Sequence, residues 1–442
     1  MRLSQSTRES LVAAVVALGG LAVVYMWWHD TSVASVQGPG AWLTAAGRVT
    51  GLVGTYLVVV EVLLMARAPW LDRLIGTDRL ALWHRRNGEY SITLLLAHAL
   101  LTIWGYAVTT HTGLLHETSS VVMTYPDMLA ATVGLGLFVL IGVLSARAVR
   151  RRVRYHTWYF IHLYTYVALA LSFSHQLSTG VDFALHPLNR ALWVAMYVLV
   201  GLVLVTYRVV VPLVSMARHR FRVVGAVDEA PGVTSVYITG RRLGELRAEA
   251  GQFFMWRFLT RDGWWQAHPF SLSAAPNGNW LRITVKALGD HSATLSRLAP
   301  GTLVLAEGPY GAFTRHRRRQ RRMLLIGAGV GVTPLRALFE AAPARPGDIS
   351  FIYRADDPAH LALRDELDEI AAKRRAEVHY VLGDRALHPE LLSTGHILSL
   401  VRDVARRDVS VCGPPGFTGA VVGSLREAGV PNAQIHTESF EF

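Results

Sequence analysis

Four histidines lie inside long apolar runs: His98 and His111 in one, His162 and His175 in another. Ionisable side chains are costly inside a bilayer and are usually functional where they occur. Imidazole is also a normal axial ligand of haem iron. Each pair is 13 residues apart, a rise of about 20 Å along a helix. This spacing suits two iron sites stacked in depth, with His98 facing His162 and His111 facing His175. Thirteen residues turn an ideal helix by about 1300°, roughly 140° away from a shared face, so helix distortion or laterally offset sites must absorb the difference. Any one of these histidines could instead hydrogen-bond a neighbouring helix. His29, His84, His116, His156 and His186 fall near span ends or in loops and read as surface groups or supports. His116 could also help an external acceptor site.

The chain has one cysteine, Cys412. Intramolecular disulfides, cysteine-ligated iron–sulfur clusters and four-cysteine zinc sites are thereby excluded. A redox centre within the apolar runs must use other ligands.

The elements that would position these histidines are six apolar spans, near 11–28, 44–66, 90–111, 128–146, 156–178 and 190–212. Each is near the length that crosses about 30 Å of hydrocarbon, and in lipid each must be helical to satisfy its backbone. The 67–86 connection carries Arg67, Arg73, Arg79, Arg85 and Arg86, and the next inner one carries Arg147, Arg150, Arg151, Arg152 and Arg154. The connections 29–43, 112–127 and 179–189 contain no Lys or Arg, although Arg48 and Arg190 stand at outer span ends. Positive-inside bias then puts both termini in the cytoplasm. The first span is read as retained, because no small-residue cleavage site follows it. The net charge of +12, from 44 Lys+Arg against 32 Asp+Glu, fits a membrane surface better than nucleic acid, for which no recognition element is present.

Beyond the spans the period shortens. Runs at 233–239, 252–258, 268–273, 281–287 and 302–306 alternate like strands and predict a small antiparallel barrel. Three stretches in it suit a flavin dinucleotide. In His268-Pro269-Phe270-Ser271, Ser271 could hydrogen-bond the ring, while Phe270 is either a ring contact or barrel core. The stretch from Lys286 through Gly289 to Ser292 opens a short helix whose free N–H groups suit a pyrophosphate. Gly308-Pro309-Tyr310-Gly311 is a tight turn after a strand. Each alone could be turn chemistry. The arginines of 315–322 read as a linker or a lipid or interdomain contact.

From Met323 onward a buried strand leads into Gly327-Ala328-Gly329-Val330-Gly331-Val332-Thr333-Pro334 and then a helix. Gly327, Gly329 and Gly331 allow close backbone approach, and Thr333 and Pro334 open a helix start that favours phosphate. Further strands at 349–353, 377–381 and 410–412, separated by helical stretches, predict a mostly parallel sheet. Arg354 lies just beyond one strand, where a 2′-phosphate could be read, which favours NADPH over NADH. Cys412, Gly413 and Pro414 form a turn that could edge a nicotinamide pocket, although Cys412 could equally be a small buried residue.

This sequence resembles the NADPH oxidase and ferric reductase superfamily, in the form of a compact bacterial-type transmembrane flavocytochrome b. The resemblance runs from the second span through Phe440. It implies a six-helix transmembrane bundle (1–217), an antiparallel FAD-binding β-barrel (218–319) and an α/β NAD(P)H-binding domain (320–442). It also implies two b-type haems on His98, His111, His162 and His175, in helices three and five. His268–Ser271 and Gly308–Gly311 resemble the flavin motifs, Gly327–Pro334 the nucleotide loop, and Cys412–Pro414 the nicotinamide-site turn. Glu438-Ser439-Phe440 resembles the family ending, where a terminal aromatic covers the flavin. Phe440 takes that role, with Phe442 as its rival, and Cys412 and Phe440 mark the hydride-transfer site. The helix-three histidines are 13 apart, where many eukaryotic members show one residue more.

The expected activity is electron transfer from cytoplasmic NADPH, through FAD and two haems, to an acceptor across the membrane. Outward movement of one electron gains about 2.3 kcal/mol per 100 mV of inside-negative potential. Dioxygen, giving superoxide, is the expected acceptor. The alternatives are a ferric chelate, a periplasmic protein or a quinone, and, differently, a membrane-anchored reductase of soluble type without haem.

Overall fold

Glycine and serine decide how the apolar helices of this protein pack, because bare backbone lets two helices approach where larger side chains would hold them apart. The computed structural model describes residues 5–31, 36–153, 155–287, 292, 294–311, 313–314, 318–384, 387–388 and 390–438. Its chain divides into two units, one of Met1–Ile75 with Arg79–Arg208 and one of Val209–Phe442 with Gly76–Asp78.

In the first unit the helix Gly38–Leu64 packs on the helix Thr77–Thr110. A Cβ on Gly40 would lie 2.8 Å from the Gly105 carbonyl oxygen, and one on Gly47 would lie 2.9 Å from the Thr102 nitrogen. On a third helix, Met128–Ser145, a Cβ on Gly134 would lie 2.8 Å from the Ala168 carbonyl oxygen.

Among the described residues five helices are long and apolar enough to cross a membrane: Thr7–His29, Gly38–Leu64, Arg79–Thr110, Met128–Ser145 and Pro187–His219. The expected span at 156–178 is interrupted. It consists of Tyr155–Leu171 and Phe173–Ser178, with Ser172 between them. Gln176 repairs the interruption. Its Nε2 donates to the Ser172 carbonyl at 2.7 Å, while its Oε1 accepts from Trp193 Nε1 at 2.8 Å and from Tyr197 Oη at 3.2 Å. Backbone groups freed at a break within apolar surroundings need such partners. The third expected span, 90–111, is the end of a longer helix that starts at Thr77.

The second unit begins with the helix Val211–His219, followed by six strands. These are β1 (Arg222–Ala230), β2 (Val233–Thr239), β3 (Phe253–Phe258), β4 (His268–Ser271), β5 (Trp280–Lys286) and β6 (Val304–Tyr310). They form two antiparallel sheets, β1-β2-β5 and β4-β3-β6. Single bridges, Arg222 to Leu303 and Leu272 to Ile283, join the sheets. Alternation puts Val236, Ile238, Phe254, Trp256, Phe258 and Ile283 wholly inside.

Five parallel strands follow: β7 (Met323–Ala328), β8 (Ile349–Ala355), β9 (Glu377–Leu382), β10 (Asp408–Cys412) and β11 (Ile435–Glu438). Their order is β11-β10-β7-β8-β9. The chain moves outward from β7 through β8 to β9, then returns to the other side of β7. Such a reversal opens a crevice at the carboxyl ends of the two central strands. The apolar runs of β7 and β8 are buried on both faces, as expected for a covered parallel sheet.

A charged chain joins barrel and nucleotide sheet. Arg282 of β5, 2% exposed, pairs with Glu366 in the first turn of the helix Arg364–Arg374. Glu366 also pairs with Arg336 at 2.7 Å, Arg336 pairs with Glu340, and Glu340 accepts from the Ala275 nitrogen at 2.8 Å. Tyr237 Oη accepts from Arg282 at 3.3 Å. Burial pushes the Glu366 carboxyl upward, but Arg282 and Arg336 outweigh it and hold the group below the usual carboxylate range. Because the folded value is depressed, the stabilisation is complete above the unfolded value of about 4.3 and is lost as pH falls through the folded one. We predict that acidification below about pH 4 loosens the barrel from the nucleotide sheet. Hydrogen exchange should rise in 273–282 and 364–370 over that range, and protection that is unchanged by pH would contradict the prediction.

Candidate functional site

On the flavin side, β4 carries His268, Pro269, Phe270 and Ser271 and pairs antiparallel with β3, setting Ser271 opposite Phe253 and Phe270 opposite Phe254. Ser271 is 4% exposed, and its Oγ is buried without a hydrogen-bond partner. A buried hydroxyl left so is destabilising unless a bound group completes it. His268 and Phe270 stack, with centroids 5.9 Å apart and planes 15° apart. Phe253 also pairs with Tyr310 of β6, so β4 and the turn Gly308-Pro309-Tyr310-Gly311 flank one strand. Gly308 and Gly311 have φ of 148° and 95°. A Cβ on Gly311 would lie 2.8 Å from Glu438 Oε1, which ties the barrel turn to the last strand of the nucleotide sheet. Lys286 ends β5 and Ser292 is half-buried beyond it. Gly289, Phe440 and Phe442 lie outside the described residues.

At the crevice, β7 delivers Gly327 and Ala328 into a tight turn, Gly329–Gly331, and the helix Val332–Ala341 starts directly after it with Thr333 and Pro334 in its first turn. The next strand, β10, delivers Cys412, Gly413 and Pro414 to the same end of the sheet, since Cys412 is in register with Gly327. The two loops touch: a Cβ on Gly331 would lie 2.2 Å from the Cys412 carbonyl oxygen and 2.7 Å from the Gly413 nitrogen. Gly329, with φ of 54°, has open space beside it. A helix start beside open backbone fits a phosphate-bearing nucleotide. Cys412 is fully buried, and its Sγ lies 3.7 Å from the Glu438 carbonyl oxygen. Arg354 is the penultimate residue of β8, and its guanidinium donates to Asp356 and to the Gly383 carbonyl, each at 2.7 Å.

In the helical unit the structure groups the histidines differently from the sequence expectation. His162 neighbours His84, with ring centroids 5.8 Å apart, and stacks on Trp158 at 4.9 Å. His175 interacts electrostatically with His98. The structure thus sets His84, and not His98, beside the ring of His162. His111 stands exposed at the end of its helix, with φ of 55°. The reason is helix length. Because the helix starts at Thr77, His84 belongs to it, and the 14 residues from His84 to His98 return within about 40° of one face. The 13 residues from His162 to His175 span the break at Ser172, so one ideal helix does not govern their phase.

The histidine nitrogens show what each site could hold. His98 Nδ1 is 2.8 Å from the Gly47 carbonyl oxygen and acts as donor there. His84 Nδ1 faces the carboxylate of Glu61, a buried residue of Gly38–Leu64. Carbonyl and carboxylate acceptors on one ring nitrogen are the usual support for an imidazole whose other nitrogen binds a metal. Nδ1 of His162 is buried without a hydrogen-bond partner. A Cβ on Gly51 would lie 2.5 Å from His98 Nδ1, so glycine there makes room for the ring. These residues fit a pair of axially ligated haems. The sequence reading placed His84 among surface groups or supports because the charged stretch Asp78–Arg86 looks like a connection, and it did not single out Glu61 within the second span. The 14-residue repeat to His98 was the signal that could have found His84.

Three family models match the chain. Residues 50–173 match the ferric reductase like transmembrane component, 231–314 an FAD-binding domain, and 325–423 the oxidoreductase NAD-binding domain. This is an NAD(P)H-dependent flavoprotein oxidoreductase. Among curated relatives, the flavohemoprotein of Chromobacterium violaceum is 31% identical over 50% of this chain and 60% of its own length. That of Pseudomonas aeruginosa is 33% identical over 50% and 58%. The ferredoxin reductase component of 3-ketosteroid-9-alpha-monooxygenase from Mycolicibacterium smegmatis is 31% identical over 44% and 56%. The chain thus spans under two thirds of these relatives. Among solved structures, the flavohem-like FAD/NAD-binding domain of nitric oxide dioxygenase from Vibrio cholerae O1 biovar El Tor has a TM-score of 0.43 at 23% identity, over 50% of this chain and 98% of its own. A ferredoxin NADP+ reductase from Neisseria gonorrhoeae, with bound FAD and NADP, has 0.43 at 19% identity over 50% and 98%.

Two substitutions test the oxidoreductase half. Gly331→Val should drive side-chain carbon into the Cys412 carbonyl and abolish NADPH binding while FAD content stays normal, as read by titration of flavin reduction. Ser271→Ala should weaken FAD by about fivefold, the worth of one hydrogen bond near 1 kcal/mol, as measured by FAD release on dilution. Wild-type behaviour in either variant would remove that residue from its site.

Proposed function

We propose that this protein carries electrons from NADPH on the cytoplasmic face, through FAD, to two haems held in the helical unit, and on to dioxygen at the outer face. Bound FAD would supply the exchange between two-electron hydride chemistry and one-electron transfer, and the haems would carry single electrons. The glycine turn at 327–331 and the Cys412–Pro414 turn would hold the nucleotide between them. Ser271 would hydrogen-bond the flavin ring, the Lys286–Ser292 stretch would meet its pyrophosphate, and Phe440 would cover the ring until nicotinamide displaces it. His84 and His162 would ligate the inner iron, and His98 and His175 the outer one.

The observation that carries this reading is the ring contact of His84 with His162 in the helical unit, together with His98 Nδ1 donating to the Gly47 carbonyl and His84 Nδ1 facing the Glu61 carboxylate. Both termini are proposed to be cytoplasmic, in line with the arginines of the two inner connections. Dioxygen is favoured over an anionic ferric chelate because Arg48, at an outer span end, is ion-paired with buried Asp182. The acceptors kept as alternatives are a ferric chelate, a periplasmic protein and a quinone. NADPH is favoured by Arg354 at the end of β8, although Asp356 shares its guanidinium.

A second reading keeps the NAD(P)H-to-FAD chemistry and makes the helical unit an anchor without haem. It is in line with the likeness to the ferredoxin reductase component from Mycolicibacterium smegmatis, which covers 44% of this chain. In addition, no group of three or more His, Cys, Asp or Glu is placed to hold a metal ion among the described residues. A bis-imidazole haem asks for only two side chains per iron.

Haem content separates the two readings. Purified wild-type protein with full FAD should bind two haems per chain, and a haem-free product would establish the anchor. His84→Leu and His162→Leu should each remove one haem and stop electron transfer to the outer acceptor while FAD reduction by NADPH persists. His111→Leu should keep both haems. Loss of a haem in His111→Leu, with both retained in His84→Leu, would reverse the assignment.

A further inference from the structure

Arg282 is the least exposed arginine among the described residues of the barrel and nucleotide sheet. It is 2% exposed and sits in the middle of β5. Burying a guanidinium is costly unless its donors are met. At one end, Nε donates to Ser273 Oγ at 3.0 Å and Nη2 donates to the Ser273 carbonyl at 2.9 Å. Ser273 lies two residues beyond Ser271, and Thr284 Oγ1 also donates to its hydroxyl at 2.7 Å. At the other end the same guanidinium grips both oxygens of Glu366, with Nη2 to Oε2 at 2.8 Å. Glu366 binds Arg336, on the helix that starts at the glycine turn of the nucleotide crevice. A second tie runs parallel to the first, from Glu340 on that helix to the Ala275 nitrogen.

We propose that Arg282 is a positioning residue for hydride transfer. Through Glu366 and Arg336 it fixes the spacing between the flavin strand His268–Ser271 and the nucleotide turn Gly327–Gly331. In the transfer, the C4–H bond of the reduced nicotinamide breaks, its hydrogen leaves with both electrons, and an N–H bond forms at flavin N5. NADPH becomes NADP+ as the flavin gains two electrons. This step is steep in geometry, and a displacement of about 1 Å can cost about 100-fold. A bidentate fork anchored at both ends constrains orientation in a way a single ammonium does not.

Glu366→Gln tests the proposal, because it keeps the side-chain shape and the Ser273 contacts but removes the charge that Arg282 and Arg336 share. Stopped-flow reduction of the flavin in full-length protein should slow by about tenfold at saturating NADPH. The NADPH dissociation constant, FAD content and flavin absorption spectrum should stay as in wild type, and the long-wavelength charge-transfer band of the NADPH complex should weaken. Arg282→Lys should slow the same step, and the double variant should be no slower than the slower single one. A wild-type reduction rate in Glu366→Gln would overturn the proposal. So would a loss of FAD that accounts for the slowing, or rate losses that multiply in the double variant. If Arg282→Lys fails to fold, the rate and charge-transfer band of Glu366→Gln still decide the matter.

Discussion

The hydrogen bond from His98 Nδ1 to the Gly47 carbonyl organises the helical unit. It requires a polar ring to reach backbone that is already committed to a helix, and only a missing side chain permits that approach. Gly47 and Gly51 are four residues apart on one face of Gly38–Leu64, and a Cβ on Gly51 would occupy the space of the imidazole. The bond also fixes which nitrogen carries the proton and leaves Nε2 turned elsewhere. About four turns earlier, His84 Nδ1 faces the Glu61 carboxylate of the same neighbouring helix. One pair of packed helices therefore sets the ring orientation at two depths.

Much of the architecture was legible in the sequence because it rests on periodicity. The run 233–239 is β2 residue for residue, and 281–287 is displaced by one from β5. The glycine turn lies between strand and helix as its composition implied. The contact of His84 with His162 was not legible, for two physical reasons. The charges scattered through 78–89 make that stretch read as a connection although the helix runs through it from Thr77, so His84 reads as a loop residue. The equal 13-residue spacings invited a match that a straight helix could not make, and the interruption at Ser172 cannot be read from hydropathy. The Arg282–Glu366 bridge was also hidden, since a lone arginine in a strand and a glutamate 84 residues later carry no local signal.

The reductase unit joins two solutions to one problem. The barrel presents a buried hydroxyl, Ser271, from a strand edge, and the parallel sheet presents bare backbone at its reversal point. Neither element alone holds both ends of a hydride transfer. The buried ion network across them has the directional character that apolar packing lacks, because a guanidinium fork accepts a carboxylate in few orientations.

Cys412, the chain's single thiol, lies beneath the contact between the two crevice loops and has no solvent exposure. An alkylating reagent can reach that sulfur only when β10, the glycine turn and the final strand part from one another. The rate at which the folded protein takes up one equivalent of maleimide therefore becomes a native stopwatch for breathing of the nucleotide cleft, with no label or engineered cysteine required.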